Sequence, residues 1–126
     1  MPSLLARSDI LSLHIPGTTE THHLIGAAEL SSMKRGALIV NTARGRIIDE
    51  TALVEALRNG QISFAALDVF EHEPIVSDNP LLAMDNVVLT PHLGASSIEA
   101  MRRMAIQVAQ GVIDVLEGRE PRNRVA

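Results

Sequence analysis

Residues whose side chains bind anions or transfer protons lie at or just beyond the carboxyl ends of three predicted strands. They are Arg44, Asp68 and His92. A guanidinium binds a carboxylate through two parallel hydrogen bonds, and an imidazole exchanges a proton near neutral pH. A carboxylate beside the imidazole would orient the ring; Glu73 beside His92 would make such a pair, and Glu71 is its rival. These residue types suit the removal of a hydride and a proton from a small hydroxy acid.

The elements that must position these residues alternate between short apolar runs and helices. The predicted strands span residues 9–15, 37–42, 64–69 and 86–90. The predicted helices span 2–8, 26–35 and 49–60, the last capped by Asp49. A final helix begins at a capping box, with Ser96 as the cap and Glu99 three residues later, and continues to Gly118. This order predicts an α/β fold with right-handed crossovers and a parallel sheet covered on both faces.

The side chains that follow the predicted strands would meet at one edge of this sheet. Ligands of open parallel sheets bind just beyond the carboxyl ends of the strands. The residues at these ends are 14–17, 42–45, 68–73 and 92–94. One cation, several carboxylates and one imidazole therefore converge there, which is typical of a ligand site.

Three motifs, in this order, resemble the D-isomer-specific 2-hydroxyacid dehydrogenase family. They are NTARG at 41–45 (with Asp49-Glu50 after it), DVFEHEP at 68–74 and TPHLGAS at 90–96. The similarity runs from about Leu4 to the C-terminus and leans toward the phosphoglycerate dehydrogenase branch. It implies a partial Rossmann-type parallel sheet with flanking helices and a long C-terminal helix. The implied reaction is hydride transfer between NAD, or NADP, and the C2 carbon of a small D-2-hydroxy acid.

The resemblance also implies roles for individual residues. Arg44 would bind the carboxylate and carbonyl of the substrate, and His92 would be the acid/base. Glu73, immediately before the proline, would be the partner of His92 in preference to Glu71, with His72 a solvated neighbour. The residues expected to contact the dinucleotide are His14, Pro16, Thr42, Ala43, Arg44, Asp68, His92, Gly94 and Ala95.

Two parts of the family's architecture are missing from the 126 residues. No two of the eight glycines lie two positions apart, so there is no G-x-G-x-x-G fingerprint. A separate substrate domain is missing as well. We therefore expect residues 1–126 to be the second half of a dinucleotide-binding domain plus the helix that returns to the other domain. Turnover by the chain alone is not expected. The alternative is a non-catalytic truncated module that acts through assembly or protein interaction.

Composition narrows the expected partners. With 11 Lys and Arg against 15 Asp and Glu, the net charge of −4 argues against nucleic acid or an anionic membrane as a partner. No apolar run approaches the roughly 20 residues of a membrane span, and we predict a cytoplasmic protein. The expected partners are a small 2-hydroxy or 2-oxo acid and further copies of the chain. Self-association is expected because the strand at 9–15 would be an unpaired sheet edge.

The sequence predicts no metal site. Cysteine is absent, which excludes a thiolate site. His22 and His23 lie near Glu20, but adjacent side chains in a loop rarely converge on one ion.

Overall fold

The computed structural model describes residues 1–124 and consists of two units, Met1–His92 and Leu93–Ala126. The first unit holds a parallel sheet in the spatial order β1-β2-β3-β4. Its strands are β1 (Ile10–Leu13), β2 (Ala37–Asn41), β3 (Ile62–Leu67) and β4 (Val87–Leu89). Its helices are α1 (Pro2–Arg7), α2 (Ala27–Ser32) and α3 (Glu50–Arg58). The second unit holds the long helix α4 (Ile98–Leu116). The predicted α/β class, parallel sheet and C-terminal helix are confirmed.

Seven of the eight strand ends differ from the sequence prediction, by two residues at the end of β1 and at both ends of β3 and by one residue at the other four. β1 ends at Leu13 rather than at residue 15, because Leu13 pairs with Asn41 and the partner strand β2 ends there. β3 begins at Ile62 rather than at residue 64, since the fully buried Ile62 pairs with Ala37 across a shift in register. β3 and β4 are joined by a loop that contains a short 3₁₀ helix, Pro80–Ala83.

The caps of the two longer helices illustrate one correct and one wrong prediction. Asp49 caps α3, because its carboxylate accepts a hydrogen bond from the Ala52 amide at 3.0 Å. α4 is capped by Ser97, whose hydroxyl accepts from the Ala100 amide at 3.1 Å. The predicted capping box at Ser96 is therefore wrong. The amide of Ser96 closes the preceding turn onto the Leu93 carbonyl, which moves the start of the helix one residue on.

One face of the sheet is buried and the other is partly open. Strand register aligns the buried residues in two rows: Leu11, Ile39 and Ala65, and then Leu13, Asn41 and Leu67. On the opposite face, Ile10 and Val88 are 61% and 51% exposed. The prediction that both faces are covered is therefore wrong for the described chain. α1 contacts α2 and α2 contacts α3, so these helices are neighbours.

The second unit contrasts with this packed core. None of the residues 98–116 is buried, although the apolar side chains Ile98, Met101, Val108, Val112 and Val115 recur at helical spacing. In the described part of the chain, no helix combines the length and the hydropathy that a bilayer crossing requires.

Candidate active site

A buried amide shapes the turn that presents Arg44. Asn41, at the end of β2, is only 1% exposed. Its Nδ2 donates to the Arg44 carbonyl at 2.9 Å, and its Oδ1 accepts from the Ala43 amide at 3.1 Å. Both polar ends of the side chain are thereby used to fold the backbone of the turn. The exposed Arg44 side chain donates from Nη1 to the Ala43 carbonyl at 2.6 Å.

Glycines allow the loops at this edge to approach one another closely. A Cβ on Gly45 would lie 1.9 Å from the carbonyl carbon and oxygen of Phe70, so no larger residue fits without moving the backbone. A Cβ on Gly17 would lie 2.9 Å from Cβ and Cγ of Arg44. The turn after β2 is thus packed against the loop that follows β3 and against the segment that follows β1.

An open cleft of about 510 Å³ lies between the ends of β1 and β2. Its lining comprises His14, Ile15, Pro16, Gly17, Thr42, Ala43 and Arg44. The structure therefore gathers five of the residues predicted to contact a dinucleotide around one opening. The His14 ring is held through Nε2 by the Ser12 hydroxyl at 2.8 Å.

The ends of β3 and β4 are joined through Asp68. This residue is 6% exposed, and its Oδ1 accepts a hydrogen bond from the Thr90 hydroxyl at 2.5 Å. Its backbone carbonyl accepts from the His92 amide at 2.9 Å. His92 itself has a φ of +54°, in the left-handed region that non-glycine residues rarely adopt. Such strained positions cluster at functional sites, where the surroundings hold them in place.

His92 and Glu73 form a direct pair. Nδ1 of His92 lies 2.7 Å from Oε2 of Glu73, while Oε1 of Glu73 accepts from the Phe70 amide at 3.0 Å. The hydrogen bond from His92 is the largest cause that lowers the pKa of Glu73, and the charge of Arg44 contributes in the same direction. An ionised carboxylate can only accept, so Nδ1 carries the hydrogen of this bond. Nε2 is left to exchange a proton with a ligand.

Glu71, the rival of Glu73, has another partner. Its carboxylate contacts Nε2 of His23 instead of His92. Its amide donates to Oε2 of Glu50 at 3.2 Å, and Oε1 of Glu50 accepts from Asn79 at 2.5 Å. Glu50 thereby ties the loop that carries Glu71 and Glu73 to the start of α3. His72 is exposed.

No role is predicted from the sequence for three residues that shape this site: Asn41, Glu50 and Thr90. For Asn41 a signal existed, because an amide at the end of an otherwise apolar strand must find partners once it is buried. No comparable signal marked Glu50 or Thr90. Their partners lie 21 or more residues away along the chain and become neighbours only on folding.

Gly94 and Ala95, two further predicted cofactor contacts, belong to the second unit. They lie in an exposed turn closed by the hydrogen bond from the Ser96 amide to the Leu93 carbonyl. Their contact with a dinucleotide stays a prediction.

The residues at the edge fit the nicotinamide end of a dinucleotide. The cleft combines an imidazole, a hydroxyl and a guanidinium with backbone brought close by Gly17, and Asp68 supplies a buried carboxylate at the next strand end. A carboxamide can donate to such a carboxylate and accept from a hydroxyl. The sequence contains no glycine-rich turn for the pyrophosphate, so the fit covers only this end.

Comparison with known proteins relates this edge to one family. Residues 1–94 match the family model described as D-isomer specific 2-hydroxyacid dehydrogenase, NAD binding domain. The chain is 50% identical over 121 residues to a glyoxylate reductase from Thermofilum pendens, covering 96% of this chain and 36% of that protein. It is 51% identical over 122 residues to a D-3-phosphoglycerate dehydrogenase from Methanocaldococcus jannaschii, covering 97% of this chain and 23% of that protein. The chain thus spans well under half the length of these relatives.

Solved structures agree with the sequence matches. The TT0316 protein from Thermus thermophilus superposes with a TM-score of 0.95 at 47% identity, covering 99% of this chain and 40% of that one. A D-isomer specific 2-hydroxyacid dehydrogenase from Xanthobacter autotrophicus, solved with NADPH, superposes at 0.83 with 43% identity, covering 99% and 51%. These matches confirm the predicted partial Rossmann-type fold and the resemblance to the D-isomer-specific 2-hydroxyacid dehydrogenase family. The chain belongs to the D-isomer specific 2-hydroxyacid dehydrogenases and carries sequence of their NAD binding domain.

Proposed function

We propose that residues 1–126 provide the catalytic edge of an NAD(P)-dependent dehydrogenase that acts on a small D-2-hydroxy acid or the matching 2-oxo acid. The observation that carries the proposal is the His92–Glu73 pair. Its 2.7 Å contact stands at the same edge as Arg44, whose charge acts on the Glu73 carboxylate. A proton acceptor, its orienting carboxylate and a carboxylate-binding cation are what hydroxy acid oxidation requires.

The proton follows a defined path in this proposal. During oxidation, the C2 hydroxyl gives its proton to Nε2 of His92 while the C2 hydride leaves for the cofactor. During reduction, the same nitrogen returns the proton to the new alkoxide oxygen. Glu73 keeps the proton on Nδ1 and stabilises the imidazolium, because its carboxylate is held ionised. NAD(P), when bound, supplies or accepts the hydride.

Arg44 would bind the substrate carboxylate. A guanidinium has five N–H donors, and among the described residues 1–124 it is Nη1 that has a partner, the Ala43 carbonyl. The remaining donors suit a bidentate contact with a carboxylate and a further contact with the 2-oxo group. The Asn41 side chain fixes the backbone from which Arg44 extends, and this restricts the positions that the guanidinium can occupy.

The cleft beside Arg44 is proposed to take the nicotinamide end of the cofactor, with Asp68 near its carboxamide. The glycine-rich half of the dinucleotide-binding domain and the substrate domain are proposed to lie outside residues 1–126. The greater length of the relatives supports this division.

A second candidate function is assembly, with the chain acting as a non-catalytic module that binds further copies of itself. Two apolar surfaces favour it: the open face of the sheet, where Ile10 is 61% exposed, and α4, none of whose residues 98–116 is buried. Exposed apolar surface of this kind marks contact sites. Light scattering checks this candidate, because a monomer at micromolar concentration would contradict it.

An NADH titration of the 126-residue chain tests the cofactor cleft. The chain has no Trp or Tyr, so the cofactor fluorescence can be followed without protein emission. We expect saturable binding that weakens in Asp68→Ala and Arg44→Ala and is unchanged in His72→Ala. Absence of binding would mean that the affinity resides in the glycine-rich turn, and the cleft proposal for the isolated chain would fail.

A chimera tests the chemistry. Residues 1–126 replace the matching segment of the glyoxylate reductase from Thermofilum pendens, which supplies the remaining parts of the enzyme. We expect NADH-dependent reduction of glyoxylate by this chimera. A chimera that folds by circular dichroism and binds NADH, yet shows no turnover, would contradict the proposed catalytic edge.

A further inference from the structure

A second histidine–carboxylate cluster in the first unit uses side chains that the proposed reaction does not need. The rings of His22 and His23 are stacked, with centroids 4.0 Å apart and planes at 26°. Nε2 of His23 contacts Oε1 of Glu71. One ligand atom from each of these three residues lies within 4.8 Å of the others. We call this group the His22–His23–Glu71 cluster.

The backbone explains how two adjacent histidines face one point. Successive side chains of an extended segment alternate in direction, but His23 has a φ of +50°, which breaks the alternation. The turn is fixed by the hydrogen bond from the His23 amide to the Arg46 carbonyl at 2.8 Å. On the other side, the amide of Glu71 is bound by Glu50 at 3.2 Å. Both segments that bring the ligands together are therefore anchored to the body of the unit.

A further carboxylate stands behind the cluster. Oδ2 of Asp49 lies 4.0 Å from Nδ1 of His23, on the opposite side of the ring from Glu71. Its Oδ1 is committed to the Ala52 amide at the start of α3, so its position is set by the helix. At 4.0 Å the two groups form no direct hydrogen bond. A carboxylate that accepts one from the far nitrogen of a ligating histidine fixes its tautomer and raises its basicity, which is the common arrangement around bound zinc. The two carboxylates also give the cluster a negative field that attracts a cation.

We propose that His22, His23 and Glu71 bind a divalent transition metal of the zinc class, with Asp49 orienting His23. Two imidazoles and one carboxylate suit such an ion and leave a fourth position for water. Around tetrahedral zinc, ligand atoms lie about 3.4 Å apart, given bond lengths near 2.1 Å. The exposed His22 ring can rotate to close the remaining distance. The third ligand comes from 48 residues further along the chain than His23, so sequence spacing could not reveal the site.

Calorimetric titration of the 126-residue chain with Zn²⁺ alone tests the site. We expect one ion per chain, and His22→Ala and Glu71→Gln should each weaken binding at least about tenfold, since losing even an orienting group costs that much. Asp49→Asn, which retains the helix cap, should weaken Zn²⁺ binding by about tenfold, because it removes the charge of the group that orients His23. His72→Ala is the matched control, because it removes an exposed imidazole next to Glu71 and should leave the affinity unchanged. Absence of saturable binding, or an affinity that His22→Ala and Glu71→Gln leave unchanged, would overturn the proposal.

Proton NMR of the unaltered chain provides a readout that needs no substitution. On addition of Zn²⁺, the imidazole signals of His22 and His23 should shift, while those of His72 and His92 stay in place. Shifts confined to His92 would mean that the ion goes to the proposed catalytic pair, and this would also overturn the site. The measurement is independent of dehydrogenase activity, so failure of either proposal leaves the other intact.

Discussion

Two histidine–carboxylate pairs depend on one loop of this protein, and their surroundings differ. Glu73 holds His92, and Glu71, two residues earlier, holds His23. Both histidines have left-handed φ values, +54° and +50°. The His92 pair lies within the influence of the cation Arg44, whereas the His23 pair has a second imidazole and the carboxylate of Asp49 beside it.

The difference shows that a histidine–carboxylate pair alone does not determine whether it suits proton exchange with a substrate or metal binding. A neighbouring cation favours an anionic substrate, so the imidazole beside it can exchange a proton with that substrate. A neighbouring imidazole and carboxylate favour a metal ion instead. The flanking groups, each contributed by a different segment, therefore determine what each pair is suited to do.

The largest effect is expected when the His92–Glu73 pair, which we propose transfers the proton, loses its imidazole. His92→Asn in the chimera should lower kcat by about 10²–10⁴-fold, the usual contribution of a general acid/base. His72→Asn, in the same loop as both carboxylates, is the control and should retain the rate of the unaltered chimera. A His92→Asn chimera with undiminished kcat would show that Nε2 of His92 does not transfer the proton.

Removing the carboxylate of the same pair should have a smaller effect. Glu73→Gln in the chimera should lower kcat on the order of 10²-fold, because Gln keeps the contact but not the charge that stabilises the imidazolium. The same substitution should leave the Zn²⁺ affinity of the 126-residue chain unchanged, because Glu71 is untouched. Equal losses of turnover and of zinc affinity would mean that the two pairs are not separable.

Gly45→Ala should disturb both pairs at once. The added Cβ would meet the backbone of Phe70 at 1.9 Å, and Phe70 precedes both carboxylates in the loop. We expect a loss of about 1–3 kcal/mol in the free energy of unfolding, measured with urea, and altered NMR signals of both His23 and His92. Gly111→Ala in α4 is the control, because among the described residues 1–124 its Cβ would approach Pro121 alone, at 3.9 Å. Unaltered signals from either histidine would show that the loop does not couple them.

The Asp49 carboxylate lies beside His23 and also caps α3. Asp49→Ala removes the cap of α3 and should cost about 1 kcal/mol in the free energy of unfolding. Asp49→Asn keeps an oxygen for the Ala52 amide and should retain most of that stability while still weakening zinc binding. Urea unfolding of the two variants separates the cap from the contact with His23. Equal destabilisation by Ala and Asn would mean that the charge, rather than the hydrogen bond, stabilises the helix.

Local sequence patterns are sufficient to predict the strands, one helix cap and the residues that line the cleft. The apolar runs predicted the parallel strands, because burial within a sheet leaves a strong local pattern, and Asp49 was identified as a cap from its neighbours alone. The convergence of His14, Thr42 and Arg44 followed from the rule that parallel strands place their carboxyl ends on one edge.

The contacts that sequence reasoning missed are of long range. His23 meets Glu71 across 48 positions, and Thr90 meets Asp68 across 22. A pattern of neighbouring residues in the sequence does not indicate which distant residue will become the hydrogen-bond partner on folding. The wrong cap at Ser96 has a different origin: two adjacent serines offer the same chemistry, and the preceding turn decides between them.

The smallest expected effect concerns an ion pair in the second unit, between Arg119 and Asp114. A hydrogen bond from Arg119, followed by one from Gln110, lowers the pKa of Asp114 below its ordinary value. A carboxyl whose pKa is lower in the folded state stabilises that state above its unfolded pKa and loses the contribution as pH falls through the folded pKa. In Arg119→Ala, the pKa of Asp114, followed by NMR of its carboxyl carbon, should rise toward the ordinary value. The rise should shrink with added salt, because exposed charges are screened. An unchanged pKa would show that the hydrogen bond from Gln110, rather than the one from Arg119, keeps the pKa of Asp114 low.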